Sequence, residues 1–235
     1  MKFIQMHDLL RRELNRRIDH GVLSVSLLTR QTRLAQAHIS NFLHNRRRLS
    51  LNALDRVLTA QRLEAENLLP SSSGWRGKHP LDDNVVYIPI VSHRTAIADP
   101  VIYGSAVIGL MPLLTDALAA CGDRPHSSRL AWERFVAVRI PAEDSQPMAP
   151  LIGPQAMIVL DRHYNSLFPF RGGRASLYAV QHGARLSVRF AEFLAGRVVL
   201  RPLNHESPVE LLEIDPGKRP QDVVVGRIVL VQNPM

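Results

Sequence analysis

One cysteine, Cys121, stands in 235 residues, so no internal disulfide framework can hold this chain, and the usage suits a reducing cytoplasm. Long apolar runs are missing too. No window approaches ~18 uninterrupted apolar residues, and the best stretch, residues 101–121, is broken by Pro112 and Asp116. No membrane-spanning helix is therefore expected. The opening segment MKFIQMHDLLRRELNRR brings in charge at once and does not read as a secretory leader. The ten histidines have no HExxH or CxxC companion, so neither a metal site nor another cofactor is expected. Internal repeats are absent as well.

What is present is an uneven distribution of charge. The first 79 residues hold 14 of the 29 basic residues and 6 of the 21 acidic ones, and the rest of the chain is balanced. The whole formal excess of +8 therefore sits at one end. A basic patch on one domain attracts a polyanion and supplies salt-dependent, sequence-blind affinity. Residues 68–84, LLPSSSGWRGKHPLDDN, replace periodic apolar positions with Ser, Gly and Pro and read as a linker. Helical spacing precedes it and short β-rich runs follow it. The chain is thus expected to be a multidomain α+β protein: an all-α domain over 1–67, a linker over 68–84 and a mostly β domain over 85–235.

In the first domain, Ile4, Leu9, Leu10, Leu14 and Ile18 keep one helical stripe, with Arg11, Arg12, Arg16 and Arg17 opposite. Ser24 or Ser26 can cap a second helix running to about Thr32, with Leu27 and Leu28 inward. Arg33-Leu34-Ala35 reads as a turn. A third helix, Gln36 to His44, buries Ile39, Phe42 and Leu43 at i, i+3, i+4. Its outward positions are Gln36, Ala37, Ser40, Asn41 and His44. The Gln and Asn amides can pair with the N6 donor and N7 acceptor of adenine, and Ala37 can touch a thymine methyl. Gln36, Ala37 and Asn41 are therefore the candidate base readers. His38, Ser40 and His44, with Arg46, Arg47 and Arg48 just past the helix end, are the candidate phosphate contacts. Ser50 caps a fourth helix holding Leu51, Leu54, Val57 and Leu58.

Residues 28–58 resemble the phage-repressor (Xre/Cro) type of helix-turn-helix. Leu28, Leu34, Gln36, Ile39, Ser40, Phe42, Leu43 and Arg47 fit its pattern. Thr29, Arg33 and Asn45 depart from it, the last two at positions where the family has Gly. Asn tolerates a positive φ. Arg33 must either accept a left-handed conformation at a cost or sit in a different turn. The resemblance implies a double-stranded DNA partner and an inverted-repeat operator.

The second half reads as short strands: 85–91, 135–140, 157–161, 177–180, 186–190, 198–201, 209–214 and 223–231. Turn signals at 182–184, 195–197 and 215–218 separate them. A mostly antiparallel, partly closed sheet is expected. Residues 110–121 read as an apolar helix ended by Gly122, and 101–134 are expected to pack over a cleft or form an effector pocket.

The order of these runs resembles the C-terminal domain of LexA and phage repressors, a serine–lysine self-cleaving peptidase fold. PMAPLIGPQAMIVLD (147–161), LYAVQHGARLSVRF (177–190), VVLRPLNHESPVELLEI (198–214) and VGRIVLV (225–231) fit its blocks in order. Aligned on Met148-Ala149-Pro150, the nucleophile position holds Pro147, which has no hydroxyl. The general-base position holds Arg189, and a guanidinium stays charged where a buried lysine can lose its proton. At the position of the small Ala-Gly cleavage pair stand Ile97 and Ala98. Two alternatives stay open in the sequence. A shifted register would put Ser145 at the nucleophile position, although Lys218 is the sole lysine past the linker, and Cys121-Gly122 resembles another cleavage pair.

Together the two resemblances imply a sequence-specific transcriptional regulator, a repressor, that pairs as a homodimer through its C-terminal domain and does not self-cleave. They also imply a bacterial or phage-derived protein, cytoplasmic and nucleoid-associated. A self-cleaving repressor released by DNA damage, and an antirepressor acting by heterodimerisation, are the alternatives.

Overall fold

The computed structural model describes residues 3–69, 84–123, 127–167 and 176–234. They form two compact units: the helical segment to residue 69 together with Tyr103–Ser105, and the remainder. The architecture is α+β, with helices first and one large sheet after them.

The helical unit contains α1 (Phe3–Asp19), α2 (Val25–Thr32), α3 (Gln36–Leu43), α4 (Leu51–Ala60) and a 3-10 turn, Ala65–Leu68. Leu10 and Leu14 of α1 are fully buried, with Leu9 and Ile18 half-buried beside them. The side chain of Ile4 lies outside the described residues. Ser24, rather than Ser26, caps α2: its Oγ accepts the Leu27 N–H at 3.1 Å. Ser50 does the same for Ala53 at 3.3 Å on α4. Such caps are worth about 1 kcal/mol each. Leu28, Ile39, Phe42, Leu43, Leu54 and Val57 close the core.

Three expectations change here. Leu51, at the first position of α4, is 63% exposed between the buried Leu49 and Leu54. Arg11, Arg16 and Arg17 do not form a free outer row but are half-buried, and Arg16 and Arg17 both close on the buried carboxylate of Glu13. Leu68, expected to open the linker, is buried in the helical core. The body of the expected linker, 70–83, lies outside the described residues.

The second unit is a nine-stranded sheet built from β1 (Val85–Ile90), β2 (Gly109–Leu114), β3 (Phe135–Arg139), β4 (Met157–Asp161), β5 (Leu177–His182), β6 (Arg185–Leu194), β7 (Arg197–Arg201), β8 (Glu210–Glu213) and β9 (Val224–Gln232). The order is β2-β1-β3-β4-β9-β5-β6-β7-β8. All neighbours are antiparallel except β1 and β3. Among the described residues β2 and β8 are the two edges and do not pair. Alternation buries both faces at the centre. Ile158 and Leu160 join Val136, Val138 and Val188 on one side, while Val159 joins Ile88, Met111 and Ala137 on the other.

β2 corrects the expected 110–121 helix. Residues 109–114 pair along the whole of β1, from Ile90↔Gly109 to Val85↔Leu114, and only Thr115–Ala119 is helical. A proline in a helix interior removes a hydrogen bond and clashes with the preceding turn, whereas an edge strand tolerates it. Pro112 therefore favours the strand once β1 offers a free edge. Two-residue loops turn β5 into β6 and β6 into β7. In the second, Ala195 (φ 50°) and Gly196 (φ 80°) both take the left-handed conformation that tight hairpins demand. Gly226 answers a different need: a Cβ there would lie 2.7 Å from the Asp161 carbonyl oxygen, so β9 can approach β4 only without a side chain.

Candidate functional site

Two places gather the residues that the sequence singles out. On the helical unit, α2 and α3 are joined by three residues. Arg33 ends α2 at φ 54°, ψ 29°, and its N–H donates to the Thr29 carbonyl at 2.9 Å. A side chain other than Gly pays about 1 kcal/mol for that geometry, and the turn keeps it. Asn45 takes φ 59° after α3, and its Oδ1 accepts from Arg11 Nη1, which ties the end of α3 to α1. Arg11 in turn holds Asp8 at 2.8 Å.

With Ile39, Phe42 and Leu43 turned inward, the first turn of α3 is left outside. Gln36, Ala37 and His38 are exposed, and Ser40 and Asn41 are half-buried. Ala35 at the N-cap offers no side-chain hydrogen bond, so the first amide N–H groups of α3 have no cap from it. His44 Nδ1 lies 2.8 Å from the Ser40 carbonyl. A carbonyl oxygen only accepts, so the His44 proton sits on Nδ1 and the ring is turned back on its own helix. Arg46, Arg47 and Arg48 are all exposed just beyond. Chemically, this surface presents amides and a small side chain flanked by three guanidiniums, a combination suited to base edges and phosphates.

On the sheet unit, Pro147 lies in the 3-10 turn Gln146–Met148 that packs near β6, the strand carrying Arg189. The Pro147 carbonyl accepts from the N–H groups of Leu203 (2.9 Å) and Asn204 (3.0 Å). Ser145, the shifted-register candidate, is buried, and its Oγ donates to the Ala142 carbonyl at 2.9 Å. Arg189 is 6% exposed. Its Nη1 donates to the Val188 carbonyl at 2.7 Å and its Nη2 to Glu210 Oε1 at 3.3 Å. Burial pushes this guanidinium below its ordinary value, against the opposing pull of Glu210 and of Asp144. Lys218 sits in an exposed turn, donating to Asp215 at 2.6 Å. The cleavage-like pair Ile97-Ala98 belongs to the short helix His93–Ala98, capped by Ser92, not to an extended segment. Gly122 (φ 59°) follows the helix Thr115–Ala119, with Cys121 half-buried before it.

Of residues 101–134, expected to pack over the vestigial cleft or to form an effector pocket, the strand lies away from Pro147 and Arg189 in the sheet order. β2 is the far edge of the sheet, with five strands between it and β6.

Sequence reasoning missed several charged groups. Arg162 has no exposed surface and stacks on Trp132 at 4.4 Å, with Arg129 over the same ring at 4.5 Å. Burial and then the like charge of Arg129 push Arg162 down to about 9. Asp161, 1% exposed, is held by Arg134 at 2.9 Å, and that partner raises the Arg134 value. Only the i, i+3 and i, i+4 spacing of Glu13 to Arg16 and Arg17 carried a signal in the sequence. Among the described residues no group of three His, Cys, Asp or Glu could hold a metal ion, and no helix is long and apolar enough to cross a membrane.

No protein-family model matches the chain, and no curated protein matches it either.

Proposed function

We propose that this protein is a dimeric, sequence-specific DNA-binding transcriptional regulator that acts as a repressor. In this reading the helical unit is a helix-turn-helix of the Xre/Cro type. The sheet unit is a LexA-type peptidase fold that has lost its chemistry and pairs subunits. The observation that carries the first part is the surface of α3: Gln36 and Ala37 exposed on its first turn, Asn41 half-buried one turn on, and Arg46, Arg47 and Arg48 exposed past its end. The excess of basic charge on the same segment supports it. The second part is supported by Pro147 and Arg189. Neither a prolyl ring nor a guanidinium bonded to Glu210 can attack a carbonyl or take a proton from a nucleophile.

Two reader units joined by a two-fold axis hold half-sites about one helical turn apart, ~34–36 Å. Selection from random duplexes with the full chain tests this. An enriched inverted repeat of that spacing is the expected result. Enrichment of a lone half-site would remove the dimer from the reading, and no enrichment at any salt concentration would remove the DNA.

A further inference from the structure

A cleft of 360 Å³ opens beside Arg189, lined by Arg185, His182, Asp144 and Glu210 as well. That is within the range of small-molecule sites, about 300–1,000 Å³. Its charges are only half used. Arg189 is nine-tenths buried, yet its Nε has no hydrogen-bond partner among the described residues, and the same is true of Asp144 Oδ2. Apart from the Arg189 hydrogen bond to the Val188 carbonyl at 2.7 Å, the charged contacts that do exist are long. Arg189 meets Glu210 at 3.3 Å, His182 meets Glu210 at 3.7 Å, and Arg185 lies between Glu143 at 3.7 Å and Asp144 at 3.9 Å. A well-made charged pair closes to about 2.7–2.9 Å.

We propose that this cleft binds a small zwitterion of amino-acid to dipeptide size, its carboxylate on Arg189 and its ammonium toward Glu210 and Asp144. A guanidinium offers Nε and Nη2 side by side, a fork that fits the two oxygens of one carboxylate. A turn of the guanidinium away from Glu210 would bring the enclosed, unpartnered Nε onto the ligand carboxylate beside Nη2, in exchange for the long Glu210 contact. Glu210, released from Arg189, then needs a cation, and the ligand's ammonium supplies it. A simple anion would leave Glu210 and Asp144 facing added negative charge. A simple cation would leave Arg189 Nε as it is. Only a ligand with both signs keeps the two arginines and two carboxylates balanced. The inference rests on the cleft alone, not on the nucleic-acid reading of the helical unit.

Titration calorimetry on the full chain with L-alanyl-L-alanine tests it, beside the N-acetylated dipeptide and the dipeptide amide, which each lack one charge. Saturable binding of the free dipeptide is expected, with each blocked form weaker by about tenfold or more. Arg189→Lys should weaken the free dipeptide by a similar factor, since an ammonium has no fork, while Arg197→Lys on the exposed end of β7 should leave it unchanged. No saturable heat up to about 10 mM dipeptide, equal binding of either blocked form, or an unaffected Arg189→Lys variant would each overturn the proposal. Should Arg189→Lys fail to fold, Glu210→Gln replaces it. That variant should lose the preference for a free ammonium over the acetylated form, and a retained preference would equally overturn the proposal.

Discussion

Glu13 has 2% of its side chain exposed and two arginines on it: Arg16 Nε donates to Oε2 at 2.8 Å and Arg17 Nε to Oε1 at 2.7 Å. Burial by itself would push this carboxyl up. The hydrogen bond and charge of Arg16, followed by those of Arg17, overcome that and hold it below its ordinary 4.5. A carboxyl lowered in the folded state contributes stability that is complete above the unfolded value and disappears as pH falls through the folded one. Glu13→Gln should therefore cost about 2 kcal/mol at neutral pH, in the range of hydrogen bonds to charged groups. Urea denaturation should show the gap to the parent protein closing as the pH is taken well below 4.5. A gap of constant size down to pH ~3 would mean that packing, not charge, sets the cost. Arg162 is the opposite case, a guanidinium with no exposed surface whose burial outweighs the pull of Asp99 and Glu133. It relies on the Trp132 ring and the Asp99 carbonyl. Nothing in the identity of these residues announces which charge will be enclosed.

Among the elements, α3 divides its duties along its length. The candidate base readers begin on its first turn and the arginines stand past its last. Gln36→Ala should weaken operator binding and relax one base position by about 1–3 kcal/mol, with random DNA held as before. Arg47→Ala should weaken all sequences alike and flatten the salt dependence. Fluorescence anisotropy on both kinds of duplex at several salt concentrations separates the two, and equal loss on random DNA from Gln36→Ala would contradict its assignment. β9 depends on Gly226 in another way. A Cβ there meets the Asp161 carbonyl oxygen at 2.7 Å and Arg162 Cα at 3.1 Å. Both are backbone, which cannot step aside as a flexible side chain would. Gly226→Ala should thus cost about 1–3 kcal/mol, as overpacking does, read as a lower thermal midpoint. An unchanged midpoint would show that β4 and β9 can separate freely.

For the whole molecule the open question is what the sheet does. Ser145 spends its hydroxyl on a backbone carbonyl, Pro147 has none, and Lys218 is bound to Asp215 in a turn. Prolonged incubation at alkaline pH, where a serine–lysine dyad would be most active, should leave a single species by intact-mass spectrometry. Two fragments would restore the self-cleaving reading, and their masses would name the bond. Much of this architecture is legible beforehand. Eight strands and four helices follow from alternation, helical spacing and Ser, Gly or Asn at the boundaries. The ninth strand, β2, does not. GLMPLL suits a helix or a strand, and only the open edge of β1 decides between them.

The sequence alone determined where α1 to α4 and most strands begin, that basic charge collects at one end, and that Gln36, Ala37 and the Arg46–Arg48 run fall at the ends of one helix. These are local properties, set by side-chain period, caps and turn residues within a few positions of one another. Tertiary structure alone decided that Glu13 and Arg162 are enclosed and that β2 extends the sheet. It alone brought Asp144 and Glu210 to the same cleft as Arg189, two of them 45 and 21 residues away along the chain. Burial and the meeting of distant charges depend on which surfaces pack together, and no periodicity in the chain encodes that.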